Sequence, residues 1–102
     1  MRTALVLAVL LLPASAMTQP LTKAECVAAA SNDEKFADLL RKMIGIAEQQ
    51  QAGDLAARQR DLGPIAQPLD QAASARARYL DAARAYLKAS EDLAYQFRVC
   101  AR

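Results

Sequence analysis

The sequence predicts an all-α protein: an antiparallel helical hairpin of two long helices, with or without a short third helix at 54–62, closed by one disulfide. Three observations predict it. No stretch alternates apolar and polar residues with the period of two that a half-buried strand needs. Helix-breaking residues gather in one place, "RQRDLGPIAQPLD" at 58–70, in a chain otherwise rich in helix formers. The only two cysteines, Cys26 and Cys100, each lie 37 residues from Gly63. A chain that doubles over near Gly63 brings them together.

The first residues, "MRTALVLAVLLLPASAM", carry one cation, Arg2, then an apolar run from Thr3 to Leu12 ended by Pro13. Ala14-Ser15-Ala16 has the small-x-small pattern of a signal-peptidase site. The run is too short to span a bilayer, which needs ~20 apolar residues. A cleaved signal over 1–16 and one domain over 17–102 are therefore expected. That implies a periplasmic or secreted protein with no membrane contact after cleavage. In such an oxidising compartment two cysteines 74 positions apart read as a structural bond, not as a redox pair. The bond would close a long loop and contribute ~4 kcal/mol in the chain-entropy model. It matters because two helices bury little surface.

The first helix has a marked start. Thr22 and Glu25 are spaced as a capping box, and Leu21 and Cys26 as a hydrophobic staple. Ser31 and Glu34 repeat the box spacing, so a break or kink is expected there. The helix-like sequence continues to about Ala52. Gly53-Asp54 then reads as a stop followed by a new cap, which would make "DLAARQRDL" a helix of its own. In that arrangement Leu55, Leu62, Ile65 and Leu69 form a small cap under the connection. The last helix is expected to open near Pro68 and run to about the C-terminus.

With Gly63 as pivot, residues whose numbers sum to 126 face each other. Stepping from Cys26 in a 3-4 rhythm gives Ala29, Asp33, Phe36, Leu40, Met43, Ala47 and Gln50. Their mates are Phe97, Leu93, Ser90, Tyr86, Ala83, Tyr79 and Arg76. Large side chains repeatedly oppose small ones, which is how close-packed helices fill a seam. Asp33 opposite Leu93 is the misfit. On this register Ile44, Leu80 and Leu87, with Ala37 and Ala94, flank one side of the seam. Leu39 and Ile46, with Ala82 and Ala89, flank the other. Both flanks are candidate partner surfaces, for a second hairpin or for a different protein.

The chemistry available to the chain is limited. There is no histidine, the commonest general base and metal ligand. Oxidised cysteines leave no thiolate. Ser31, Ser74 and Ser90 lack a base. Asp33, Glu34, Glu91 and Asp92 fall at one level of the hairpin, but Glu34, Glu91 and Asp92 point outward beside Lys35 and Lys88. They read as a solvated charged face and not as a metal site. Tyr79 and Tyr86 read as core. No phosphate-binding glycine loop or zinc spacing is present. No catalytic residue, cofactor or metal is assigned.

The charge balance is 13 basic to 11 acidic residues, interspersed, and without Arg2 it falls to about +1. There is no basic stripe or aromatic cluster for nucleic acid. "LTKAE" at 21–25 resembles the "LTxxQ" boxes of periplasmic helical-hairpin chaperones of the Spy and CpxP type, in one copy and with glutamate last. "YQFRVC" at 95–100 resembles the end of small exported lysozyme inhibitors, without their tryptophan. Neither stretch covers enough of the chain to place it in a family. The expectation is a small exported, non-enzymatic protein-interaction module of the bacterial envelope, with a protein partner or a homodimer. An inhibitor or immunity-type protein that binds a periplasmic or secreted enzyme is the second reading, and a chaperone-like hairpin the third.

Overall fold

The computed structural model describes residues 19–102, so the expected signal segment at 1–16 lies outside the described residues. Helix α1 spans Lys23–Ala57 and helix α2 spans Ala66–Cys100. They pack antiparallel along their lengths. Each has 35 residues, a rod of ~52 Å at 1.5 Å per residue.

The capping box starts α1. The Glu25 amide donates to Thr22 Oγ1 at 3.1 Å, and the Thr22 amide donates to Glu25 Oε1 at 2.9 Å. Two N–H groups without intrahelical partners are thereby satisfied. That hydrogen bonding also holds the Glu25 carboxyl below its ordinary pKa.

The expected breaks do not occur. α1 runs unbroken through Ser31, Gly45 and Gly53. A glycine costs a helix interior ~1 kcal/mol relative to alanine. Asp54, which would have capped a new helix, is held across the interface by Arg76. With the cap residue engaged elsewhere, the helix continues to Ala57. Arg58 ends it, donating its amide to Asp54 O at 3.1 Å. No third helix forms at 54–62: residues 54–57 are the last turn of α1, and 58–62 belong to the connection.

The reversal itself is built by Asp61, Gly63 and Pro64. Asp61 Oδ1 accepts from the Gly63 amide at 3.2 Å. Gly63 takes φ +55°, a left-handed conformation open to glycine and strained for other residues. Pro64 follows in a single 3-10 turn, Gly63–Ile65. α2 opens directly from that turn at Ala66, two residues before Pro68. Pro68 is tolerated because the first four N–H groups of a helix have no intrahelical acceptor. Of the four residues expected to form an apolar cap, Leu62 and Leu69 are half-buried, while Leu55 and Ile65 are exposed and take no part in one.

The sulfurs of Cys26 and Cys100 are bonded, with Cα atoms 5.9 Å apart. The seam between the helices follows a heptad rhythm in which Cys26 can be lettered d. On α1 the inward d positions are Cys26, Asp33, Leu40, Ala47 and Asp54. The inward a positions are Ala30, Ala37, Ile44 and Gln51. On α2 they are Arg76, Ala83, Ser90 and Phe97 at d, with Ala73, Leu80, Leu87 and Ala94 at a. Leu40, Ile44, Ala47, Leu80 and Ala83 form the core cluster, with Phe36 and Leu87 packed against it.

The expected seam was half right. Its d rows are the observed ones on both helices. Its other rows, Ala29, Phe36, Met43 and Gln50 on α1 and Tyr79, Tyr86 and Leu93 on α2, lie at the edge of the seam and not in it. The a rows occupy that place instead. The reason is volume. Alanine at Ala30, Ala37, Ala47, Ala73, Ala83 and Ala94 lets the backbones approach, and of the aromatic residues Phe97 alone takes an inward position, half-buried at the disulfide end. The large residues sit along the edge, where Phe36 and Tyr86 meet with ring centroids 5.0 Å apart.

Candidate functional site: two unlike faces of one hairpin

Beside the seam, the e positions of the two helices meet along one edge and the g positions along the other. The e edge is a ladder of ion pairs. Arg98 holds Glu34 through Nε at 3.1 Å and Nη2 at 2.5 Å. Arg41 Nη2 reaches Glu91 at 2.6 Å. Arg84 Nη2 reaches Glu48 at 3.0 Å. Positions 34, 41 and 48, and 98, 91 and 84, are each seven apart. The pairing lowers the Glu34 pKa, chiefly through the Arg98 hydrogen bond, and raises the Arg98 and Arg41 pKa values by the reciprocal effect. The sign alternates along α1: acid, base, acid. A slip by one heptad sets Glu34 against Glu91 and Arg41 against Arg84. The ladder therefore selects the register by repulsion as well as by attraction.

At the fold-back end the seam itself turns polar. Arg76 Nη1 donates to Gln51 Oε1 at 2.9 Å and to Asp54 Oδ2, while Gln51 Nε2 donates to Ala73 O at 2.9 Å. All of these are partly buried. At the other end, Asp33 Oδ2 is buried without a hydrogen-bond partner.

The opposite edge is of a different kind. Its g row contains Phe36 and Met43 on α1, with Tyr79, Tyr86 and Leu93 on α2. The neighbouring c rows contain Asn32, Leu39, Ile46 and Gly53 on α1, with Ala75, Ala82, Ala89 and Gln96 on α2. None of the c and g positions from 29 to 53 or from 72 to 96 is charged, in a chain that is 24% charged. Leu39 is 54% exposed, Ile46 59% and Tyr86 58%. A shallow open groove joins the two helices here, lined by Met43, Ile46, Gln50, Ala75 and Tyr79 with Ala47 and Arg76 at its floor.

The candidate partner residues separate on this geometry. Ile44 and Leu80, at 7% and 5% exposure, are core side chains and present no surface. Leu87 is half-buried against the core. Leu39 and Ile46 are exposed, and both lie on the uncharged face. The sequence reading misses the rest of that face by assigning Met43, Tyr79, Tyr86 and Leu93 to the seam; Phe36, assigned with them, is half-buried against the core. The signal that finds it is the absence of charge from two adjacent heptad rows on both helices.

Of the four carboxylates at one level, three are taken by a cation: Glu34 by Arg98, Glu91 by Arg41, and Asp92 by Lys88 at 3.0 Å; Asp33 lies in the seam with one oxygen unpartnered. Among the described residues no group of three or more acidic or cysteine side chains is placed to hold a metal. Nor is any described helix long and apolar enough to cross a membrane. Comparison with protein-family models, with curated proteins and with solved structures found no match.

Proposed function

We propose that the protein is a small exported, non-enzymatic protein-interaction module of the bacterial envelope. In this reading a disulfide-tied hairpin presents its uncharged face to a protein. The observation that carries the reading is the segregation of charge: one side is a ladder of ion pairs, and the other has exposed Leu39, Ile46, Met43 and Tyr86 with no charge among them. Contiguous exposed apolar patches on small proteins mark interaction sites. The disulfide and the lack of a spanning helix among the described residues fit a periplasmic or secreted location. An interface built on a rigid rod also loses little conformational entropy on binding.

The test places a photo-crosslinking residue at Ile46 in the exported protein, and separately at Asp81 on the charged side. Discrete adducts from position 46 and none from position 81 are expected. No adduct from position 46, or the same adducts from both, overturns the reading. The masses also separate its forms. One enzyme in the adduct indicates an inhibitor, and many unrelated clients indicate a chaperone.

A further inference from the structure

We infer that the occupant of the uncharged face is a second copy of this chain, and that the two hairpins form a four-helix bundle. The inference rests on the reading above that this face docks protein. Its first support is the lack of charge. A foreign surface would have to present no charge over the whole patch, because an unpaired charge buried there is strongly unfavourable. A second copy meets that condition by construction.

The second support is size. The c row runs from Asn32 to Gly53, ~32 Å at 1.5 Å per residue, and two helices are ~20 Å wide. That gives roughly 600 Å² of projected face per copy, before counting its corrugation. Standard protein interfaces bury about 800 Å² per partner.

The third support is a match between the two c rows. A two-fold axis parallel to the helices lays α1 of one copy over α2 of the other, antiparallel and at the same height. Height can be counted from the disulfide. Asn32 is 6 residues from Cys26, and Gln96 is 4 from Cys100. Leu39 is 13 along and Ala89 is 11. Ile46 is 20 along and Ala82 is 18. The offset is always two residues, ~3 Å. Leucine and isoleucine thus meet alanine, and the one polar position meets the other polar position. The g rows, with Phe36 and Met43 on one side and Tyr79 and Tyr86 on the other, close over the centre.

Light scattering and sedimentation of the protein purified from the periplasm of an expressing bacterium test this. A particle of two chains is expected at micromolar concentration. Ile46→Glu should raise the dimer dissociation constant at least about 100-fold, as expected for an unpaired charge at the centre of an interface. Lys88→Glu on the charged side should leave it unchanged. Circular dichroism and a free-thiol assay on the Ile46→Glu protein check that the hairpin and its disulfide persist. Position 46 is exposed in the hairpin, so they should. A single-chain mass up to high micromolar concentration overturns the dimer. So does a dimer that Ile46→Glu leaves intact. If the protein is monomeric while position 46 still crosslinks to a different protein, the dimer fails and the interaction module stands. Monomer and no adduct together remove both.

Discussion

The two edges of this hairpin are made by the same helices on the same seven-residue period, yet they solve different problems. The e edge carries Glu34–Arg98, Arg41–Glu91 and Glu48–Arg84 and is directed at the chain's own partner helix. Its alternating sign specifies which residue of α1 lies beside which residue of α2. The g edge and the c rows beside it carry no charge and fix no pairing between α1 and α2. What they offer is apolar area. Specificity is thus concentrated on one side of the molecule and unspent apolar surface on the other. On the function proposed above, that division suits a docking module: a scaffold that aligns itself without using the face it presents.

Breaking what both edges share should have the largest effect. Cys100→Ser removes the tie that sets their common register. In the chain-entropy model the loss is ~4 kcal/mol, a large share of the stability of a small domain. Circular dichroism of Cys100→Ser at 37 °C should show most of the helix signal gone. A thermal midpoint within a few degrees of the native protein would mean that packing and the ion-pair ladder hold the hairpin unaided.

Asp33 gives the next largest effect, with the opposite sign. It sits at a d position, one carboxylate oxygen buried and unpartnered. Leaving such a group unsatisfied costs about 1–3 kcal/mol. Asp33→Leu fills the seam with an apolar side chain and should raise the thermal midpoint by several degrees, at roughly 4–8 °C per kcal/mol for a domain of this size. An unchanged or lower midpoint would show that the leucine is not accommodated, or that Asp33 has a use outside the seam.

Asp33 also shows what the sequence makes legible. The register reading singles it out as the misfit of the seam; its inward d position holds, but its expected mate Leu93 lies on the exposed g edge. The hairpin, its reversal at Gly63, the capping box and the cysteine pairing were all readable, because each depends on local chemistry or on simple counting. The other seam row was not readable. Weighing residues by size points to Phe36, Met43, Tyr79 and Tyr86 as core and to alanines as filler. When the helices approach closely the preference reverses, and only a three-dimensional distance shows that they do. The run through Gly53 was hidden for a related reason. A cap signal at Asp54 is local, whereas the Arg76 that engages it is 22 residues away. Glu34 and Glu91 read from the sequence as outward-facing, whereas each is turned along the e edge to an arginine of the other helix, whose long side chain reaches it from a position that does not face it.

The smallest predicted effect sharpens the comparison most, because pH acts on one edge and leaves the other alone. The Glu34 carboxyl is held below its ordinary value of 4.5, first by the Arg98 hydrogen bond and then by its charge. A carboxylate whose folded-state pKa is depressed contributes stability above its unfolded value, and that contribution is lost as pH falls through the folded one. Glu34→Gln should therefore lower the thermal midpoint slightly at pH 7, and the difference from the native protein should close as the pH is taken progressively below 4.5. Added salt should narrow the same gap, because both side chains are about half exposed to solvent. The uncharged face should respond to neither. Crosslinking from position 46 should be the same at pH 7 and pH 5, and at low and high salt, apart from the modest strengthening that excluded salts give to apolar contacts. If docking weakened in step with the Glu34–Arg98 pair, the two edges would be coupled through the register, and the separation between an aligning side and a presenting side would no longer hold.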